Sequence, residues 1–179
     1  MNTDFVVGVT DRATNNLNLI FNTNIGKNYL SKRQGFEIEF IERLPEFGFS
    51  TIANILASIK LAKYMRLGSD DAIITVATDG ADLYLSELNK TKEDFKGIFD
   101  EFSCAEIFGQ YLKGVNIDNT LECNQKDRER IFNLGYYTWV EQQGVNLDDF
   151  EKRRDQNFWN DHYKYMLSLD DKIKEFNSL

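Results

Sequence analysis

The sequence predicts an α/β fold that is rich in helix, with a small parallel sheet and a helical tail at the C-terminal end. Two observations support this: an amphipathic helix is followed directly by an apolar strand, and beyond Asn89 only helical patterns occur. Residues 1–114 are therefore expected to form the α/β part. Residues 115–179 are expected to form a helical extension packed on it, and the polar stretch 115–124 marks the boundary.

The chain begins with a predicted strand and a predicted helix. Residues 4–9, DFVVGV, are β-prone and predict a short strand. Thr10 or Asp11 can then cap a helix over residues 12–21, because their side-chain oxygens accept hydrogen bonds from the free N–H groups of a first turn.

Two further elements come before the central helix. The polar residues 22–24 favour a break, and a second helix is predicted over residues 25–32, ending at Gly35. Residues 36–44 alternate as a strand would, but they also carry the glutamates of a helix. A helix is the favoured interpretation, and Pro45 ends the element in either case.

The central helix is predicted over residues 51–67. Ser50 or Thr51 can cap it, and Gly68 can end it because glycine accepts the left-handed conformation. One face follows the helical repeat through Ile52, Ile55, Leu56, Ile59 and Ala62. The other faces are only weakly polar, so cover is expected on more than one side. Lys60 is predicted to be a solvated lysine.

A predicted strand follows the central helix. The run 72–77, AIITVA, is apolar and β-prone throughout, which predicts a parallel strand buried on both faces. It ends at the polar turn Thr78-Asp79-Gly80. In open α/β sheets, ligands bind at the carboxyl ends of the strands, so this turn is the first candidate binding site.

The rest of the chain predicts helices. Thr91 and Asp94 resemble a capping box, which would start one of them. The helices are predicted over residues 81–88, from Thr91 to before Gly114, over residues 127–143 with Gly144 closing the last turn, and from Asn146 onward.

Composition excludes several classes of function. The net charge of −8 would repel nucleic acid and anionic membranes, so neither is expected as a partner. No apolar run approaches the roughly 20 residues of a membrane span. Residues 1–4 lack the basic and apolar parts of a signal peptide, so a cytoplasmic protein is expected.

Cysteine and histidine are too few for a metal site. Cys104 and Cys123 lie nineteen residues apart, and His162 stands alone among aromatic residues. Neither a disulfide framework nor a zinc site follows from this spacing. Reduced thiols and a surface or packing histidine are the predictions.

Three short motifs carry a family resemblance. They are Gly48-Phe49-Ser50 before the central helix, Thr78-Asp79-Gly80 after the strand, and Tyr84-Leu85-Ser86. In this order they resemble the C-terminal end of the fold-type II enzymes that use pyridoxal 5′-phosphate (PLP), the group of cysteine synthase and the tryptophan synthase β-subunit. Asp11-Arg12-Ala13-Thr14 and the stretch 130–142 resemble a bacterial branch of that group.

The resemblance implies a cofactor contact in the turn after the strand. In that group the last sheet strand ends in a Ser or Thr whose hydroxyl meets the pyridine nitrogen, and Thr78 matches by position. The spacing from Gly80 to Tyr84 is one residue longer than in cysteine synthases, which leaves the choice between Thr78 and Asp79 open. Asp79, Gly80, Gly48 and Ser50 would line the same pocket, and the small sheet would be a remnant of the fold-type II sheet.

The resemblance also implies parts that this chain lacks. The family needs a Schiff-base lysine and a glycine-rich phosphate loop, whereas no two glycines here lie closer than five residues. Ser58-Ile59-Lys60 is similar to the family's Ser-x-Lys motif but falls inside the central helix. We therefore predict no catalytic residue in this chain.

Two functions follow as hypotheses. In the first, the chain is the C-terminal part, as a fragment or a split subunit, of a PLP-dependent amino-acid lyase or transferase. It would catalyse β-elimination or β-replacement only with the missing N-terminal part, which would supply the lysine and the phosphate loop. In the second, the chain is a non-catalytic domain that binds a partner chain or itself through its apolar helix surface. A homo-oligomer is expected in either case.

Overall fold

The computed structural model describes residues 2–178, which divide into two units. The first unit is Val7–Leu121, and the second combines the described residues of 1–6 and 122–179. The first unit contains α1 (Asp11–Asn22), α2 (Asn24–Gln34), α3 (Ile38–Arg43), α4 (Phe49–Met65), α5 (Leu85–Asp94) and α6 (Glu101–Phe108). The second contains α7 (Gln125–Tyr136), α8 (Leu147–Lys152) and α9 (Gln156–Asn177).

The sheet has two strands, β1 (Phe5–Val7) and β2 (Thr120–Glu122). The Gly8 N–H donates to the Asn119 carbonyl at 2.8 Å, and the Cys123 N–H donates to the Asp4 carbonyl at 2.8 Å. From the first pair to the second, the residue number falls in β1 and rises in β2, so the strands are antiparallel. The helix-rich character is confirmed, whereas the prediction of a parallel sheet was wrong. Strand β1 pairs with β2, more than a hundred residues away, and the sequence pattern did not predict a strand at β2.

Helix packing builds the core of the first unit. Thr10 caps α1, as predicted, by accepting the Ala13 N–H at 3.3 Å. Helix α2 ends at Gly35, which adopts a left-handed φ of 72°. Gly26 lets α1 and α2 approach closely, because a Cβ there would lie 2.0 Å from the Ile20 carbonyl oxygen. The most buried apolar side chains of this core are Leu17, Ile20, Leu30, Ile52, Leu56 and Cys104.

The predicted strand 72–77 is not a strand in the structure. The segment has no ladder partner among the described residues, and the side chain of Ile74 is 96% exposed. It runs back along the first half of α4, where the Asn54 side-chain amide donates to the Val76 carbonyl at 2.9 Å. Apolar β-prone residues need neighbouring strands to form a sheet, and the described residues supply none here.

The ends of α4 also differ from the prediction. Gly48 is the N-cap residue, and no side chain among the described residues caps this helix; neither Ser50 nor Thr51 does so. The helix ends at Arg66, which adopts the left-handed conformation with φ of 55°, rather than at Gly68. Further on, Thr91 lies inside α5 rather than at a helix start, and its hydroxyl donates to the Glu87 carbonyl of the preceding turn at 2.8 Å.

The second unit packs around one aromatic residue. Phe150 in α8 is 1% exposed, and its ring centroid lies 4.8 Å from that of Phe132 in α7. The guanidinium of Arg153 covers the Phe150 ring at 4.2 Å. Helix α7 continues as a wider helical turn and closes at Gly144, whose φ is 71°, as the sequence predicted.

Candidate functional site

The turn Thr78-Asp79-Gly80 is held against the start of α4. The Gly48 N–H donates to the Asp79 carbonyl at 2.7 Å, and the Thr78 N–H donates to the Thr51 hydroxyl oxygen at 3.2 Å. Residues some thirty positions apart in sequence are thereby joined by one backbone–backbone hydrogen bond and one hydrogen bond from the backbone to a side chain. The structure thus places Gly48, Thr78, Asp79 and Gly80 at the end of α4 whose first turn contains Ser50.

The Asp79 carboxylate is the centre of this turn. One oxygen accepts the Thr78 hydroxyl at 2.9 Å, and the other accepts the hydroxyl of Tyr84. The hydrogen bond to Asp79 raises the pKa of Tyr84, and partial desolvation adds to this effect. The Tyr84 ring also stacks on Phe49 with centroids 4.5 Å apart, so side chains as well as backbone fix the turn to the helix.

The two glycines of the site differ in what they permit. A Cβ on Gly48 would lie 2.5 Å from Asp79 Oδ1 and 2.8 Å from the Asp79 carbonyl oxygen, so only glycine allows the turn to approach the helix so closely. A Cβ on Gly80 would meet Asp82 Oδ1 at 2.7 Å, at the end of a side chain that can move. Gly48 therefore has a packing role in the structure, whereas the sequence predicted that it lines a cofactor pocket.

Thr78 and Ser50 are exposed, whereas Asp79 and Gly80 are half-buried and Gly48 is buried. The Thr78 hydroxyl can turn from Asp79 toward a ring nitrogen, because its side chain faces solvent. Ser50 lies in the first turn of α4, where the helix dipole favours negative charge. One of the two hydroxyl groups that donate to Asp79 is that of Thr78 itself, so the geometry leaves the choice between Thr78 and Asp79 open.

Lys60 is buried, and its prediction as a solvated lysine was wrong. Its side chain is 9% exposed, and the ammonium donates to the Gly8 carbonyl at 2.9 Å and to Asp118 Oδ1 at 2.8 Å. The hydrogen bond to Lys60 lowers the pKa of Asp118. Its position was readable from the sequence, because Lys60 continues the buried i, i+4 row of Ile52 and Leu56.

A pocket of about 270 Å³ lies beside this ion pair in the first unit. Polar wall groups come from Thr10, Gln110 and Asn116, and Leu56 contributes apolar surface. The Lys60 amine donates to a carboxylate and to a carbonyl, so the fold holds it in place and does not present it as a free nucleophile. The arrangement ties α4 to the loops around Gly8 and Asp118, which is a structural role.

Potential metal ligands and thiols are the other reactive groups of residues 2–178. No group of three or more potential metal-ligating side chains occurs in that part of the chain. Burial raises the pKa of the Cys104 thiol to about 11, and nearby Asp100 and Glu101 add to the shift. None of the helices described is both long enough and apolar enough to cross a membrane.

Comparisons of this chain with family models, with curated proteins and with solved structures gave no match. We call the Thr78-Asp79-Gly80 turn, held against the start of α4, the α4 turn. Its geometry and the motifs that compose it are therefore the basis for a functional proposal.

Proposed function

We propose that this chain forms the part of a PLP-dependent amino-acid lyase or transferase of the cysteine synthase type that faces the pyridine nitrogen of the cofactor. The observation that supports this is the bonded turn at the start of α4. Gly48 and Thr51 each hold one residue of the Thr78-Asp79-Gly80 turn, and the Thr78 hydroxyl remains exposed. Motifs that resemble one family in sequence thus occupy one site in space.

The residues present fit one edge of the cofactor. The Thr78 hydroxyl can donate to a neutral ring nitrogen in place of Asp79, and the hydrogen bonds that Asp79 accepts from the Tyr84 hydroxyl and the Gly48 N–H hold the turn that carries it. PLP, when bound, supplies the electron sink for bond cleavage at the amino-acid α-carbon. A neutral pyridine is a weaker sink than a protonated one, which suits β-elimination and β-replacement. Gly48 keeps the turn close to α4.

The exposed segment 72–77 supports the idea of a missing part. Its side chains Ile73, Ile74 and Val76 are 40%, 96% and 65% exposed. A β-prone run next to a helix is half of a β–α unit, and neighbouring strands would cover these side chains. An N-terminal part that carries the lysine, the phosphate loop and further strands would supply that cover and complete the site for an amino-acid substrate.

The same exposed side chains favour a second candidate function, a non-catalytic domain that binds a partner chain or itself. An exposed apolar segment of this kind marks an association surface whether or not a cofactor is involved. The two functions differ in what the partner brings. An enzyme needs a lysine and a phosphate loop from it, whereas an association domain needs only a complementary surface.

The decisive experiment joins the chain to the segment encoded immediately upstream of Met1. We expect an in-frame Ser-x-Lys and a glycine-rich stretch there, and PLP absorbance in the combined protein that borohydride traps on the upstream lysine. The isolated chain should give no single stoichiometric adduct. A stoichiometric adduct at one lysine of the isolated chain, or an upstream segment without these motifs, would contradict the proposal and favour an association domain.

Two variants in the combined protein then test the turn. Thr78→Val should retain the cofactor but lower activity by about one to two orders of magnitude, because the lost hydrogen bond is worth roughly 1–3 kcal/mol. Asp79→Asn is the control. If Asp79→Asn loses far more activity than Thr78→Val, Asp79 rather than Thr78 meets the ring nitrogen.

A further inference from the structure

Helix α9 (Gln156–Asn177) has no buried residue along its 22 residues. It nevertheless carries large apolar side chains, among them Met166, Ile173 and Phe176, which are 57%, 55% and 74% exposed. Helices in water gain most of their stability from packing an apolar face, so a helix of this length with no buried side chain lacks its main source of stability. The apolar face of α9 is therefore a surface for another element.

The spacing of these side chains is that of a coiled coil. Trp159, Met166 and Ile173 recur every seven residues, and so do His162, Leu169 and Phe176. The two rows alternate at intervals of three and four residues, which places all six side chains on one seam. We call this the α9 seam. It repeats over three heptads, and the helix is roughly 33 Å long at 1.5 Å per residue.

We infer that the α9 seam pairs antiparallel with the α9 seam of a second copy of this chain. When the pair is centred between Leu167 and Ser168, each residue of one heptad row lies opposite a residue of the other heptad row in the second copy. Each copy then contributes Trp159 facing Phe176, His162 facing Ile173, and Met166 facing Leu169 of the second copy. The six-layer seam is complementary to itself, and no different partner sequence is needed to fill it.

Charges beside the seam agree with this pairing. Tyr163 and Asp170 flank it on one side, and Tyr165 and Lys172 flank it on the other. In an antiparallel pair each flank of the seam lies against the same flank of the second copy, so Tyr163 lies near Asp170 and Tyr165 lies near Lys172 of the second copy. Tyrosine can donate to a carboxylate and can receive a cation on its ring. Like charges do not meet.

A parallel pair fits less well. It would place His162 against His162 and Trp159 against Trp159 of the second copy. Two bulky indole rings would then share one layer and two polar imidazoles another, whereas in the antiparallel pair each of them faces a different, apolar side chain. The inference does not depend on the proposed enzyme function, because no residue of the α9 seam belongs to the α4 turn.

Sedimentation velocity on the full chain, over a range of concentrations, tests the pairing. The matched variants are Met166→Asp, on the seam, and Leu167→Asp, beside it, at residues that are 57% and 53% exposed. We expect Met166→Asp to weaken the dimer by at least about tenfold, because a charge at the seam centre would be desolvated, and Leu167→Asp to change it by less than about twofold. Both side chains are exposed, so neither variant threatens the fold.

Cysteine cross-linking tests the orientation. A mixture of His162→Cys and Ile173→Cys proteins should form a mixed disulfide, whereas Ile173→Cys alone should not, since antiparallel pairing separates the two copies of residue 173 by about 16 Å along the axis. A monomer at all concentrations overturns the inference. So does a homodimer cross-linked through Ile173→Cys, or an association that Met166→Asp leaves intact and Ile74→Asp removes.

Discussion

The two units bury apolar surface in different ways. In the first unit, side chains from several helices share one core, and Leu17, Ile20, Ile52 and Leu56 are all nearly inaccessible. In the described residues of the second unit, the buried apolar side chains are Phe150 and Cys123. A core with many members loses a fraction of its stability when one is removed. A core built on one ring depends on that ring.

Arginine side chains take part of the place of apolar neighbours in the second unit. Arg153 covers Phe150 at 4.2 Å, and Arg154 covers Phe132 at 4.1 Å. Each such contact contributes roughly 0.5–1 kcal/mol at exposed sites, which is less than the burial of an aliphatic side chain. The second unit is therefore expected to open at lower cost than the first.

The largest effect is expected from Phe150→Ala. Removing this buried ring should destabilise the second unit by about 3–5 kcal/mol. Each unit contains one cysteine, Cys104 in the first and Cys123 in the second, so thiol labelling in dilute denaturant reports the opening of each unit separately. Cys123 should label much faster in the variant, and Cys104 should be little changed.

Leu56→Ala is the converse control for that experiment. It removes a core side chain of the first unit at a cost of about 2–5 kcal/mol, so Cys104 should become the more reactive thiol. Burial raises the pKa of the Cys104 thiol to about 11 in the folded state, so the folded thiol labels slowly and its labelling reports opening; rates should be compared at one pH. Equal responses of both thiols to both variants would show that the units unfold together and that the contrast is false.

A smaller effect is expected from Gly48→Ala in the first unit. The added Cβ would clash with the Asp79 carboxylate and carbonyl, and relieving it should cost about 1–3 kcal/mol. Gly68→Ala is the matched control, because nothing lies within 4 Å of a Cβ there. Urea unfolding should show a loss for the first variant alone. Cys104 should label faster than in the parent chain, but by less than in Leu56→Ala, because the expected loss of stability is smaller.

The smallest effect is expected from Asp118→Asn. The Asp118 pKa is lowered by its hydrogen bond to Lys60, so the ionised carboxylate stabilises the folded state at pH values above its unfolded pKa. That stability is lost as pH falls through the folded pKa. Asp118→Asn should therefore reduce stability at pH 7, and the difference from the parent chain should shrink in acid. Asp70→Asn, the same change of charge at an exposed turn, is the matched control.

Helix ends were predictable where a single side chain or glycine decides them. Thr10, Gly35 and Gly144 each perform locally the role that the sequence indicated. The capping box at Thr91 was wrong because α5 already begins at Leu85 and runs through Thr91; the capping box of the next helix is at Asp100, whose carboxylate accepts the Ser103 N–H at 3.0 Å. Two competing local signals cannot be ranked without knowing which helix packs.

The sheet and the site depended on distant residues. Strand β1 pairs with β2 more than a hundred residues away, and the run 72–77 finds no strand to join among the described residues. Thr78, Asp79 and Gly80 lie beside Gly48 in the structure, and their role in binding a cofactor stays a prediction. The hydrogen bonds by which Thr51 and Tyr84 hold that turn were not predicted, because a hydroxyl group carries no local sequence signal of its partner.

Exposure of the segment 72–77 has a consequence for the colloidal behaviour of the chain. Apolar, β-prone segments can aggregate by pairing with the same segment of another molecule. Acidic residues on both sides of 72–77 oppose such pairing by repulsion: Asp70 and Asp71 precede it, and Asp79 follows. The net charge of −8 adds a long-range repulsion between molecules. The long-range repulsion vanishes as pH approaches the isoelectric point near 4.7, so the chain is expected to be least soluble there.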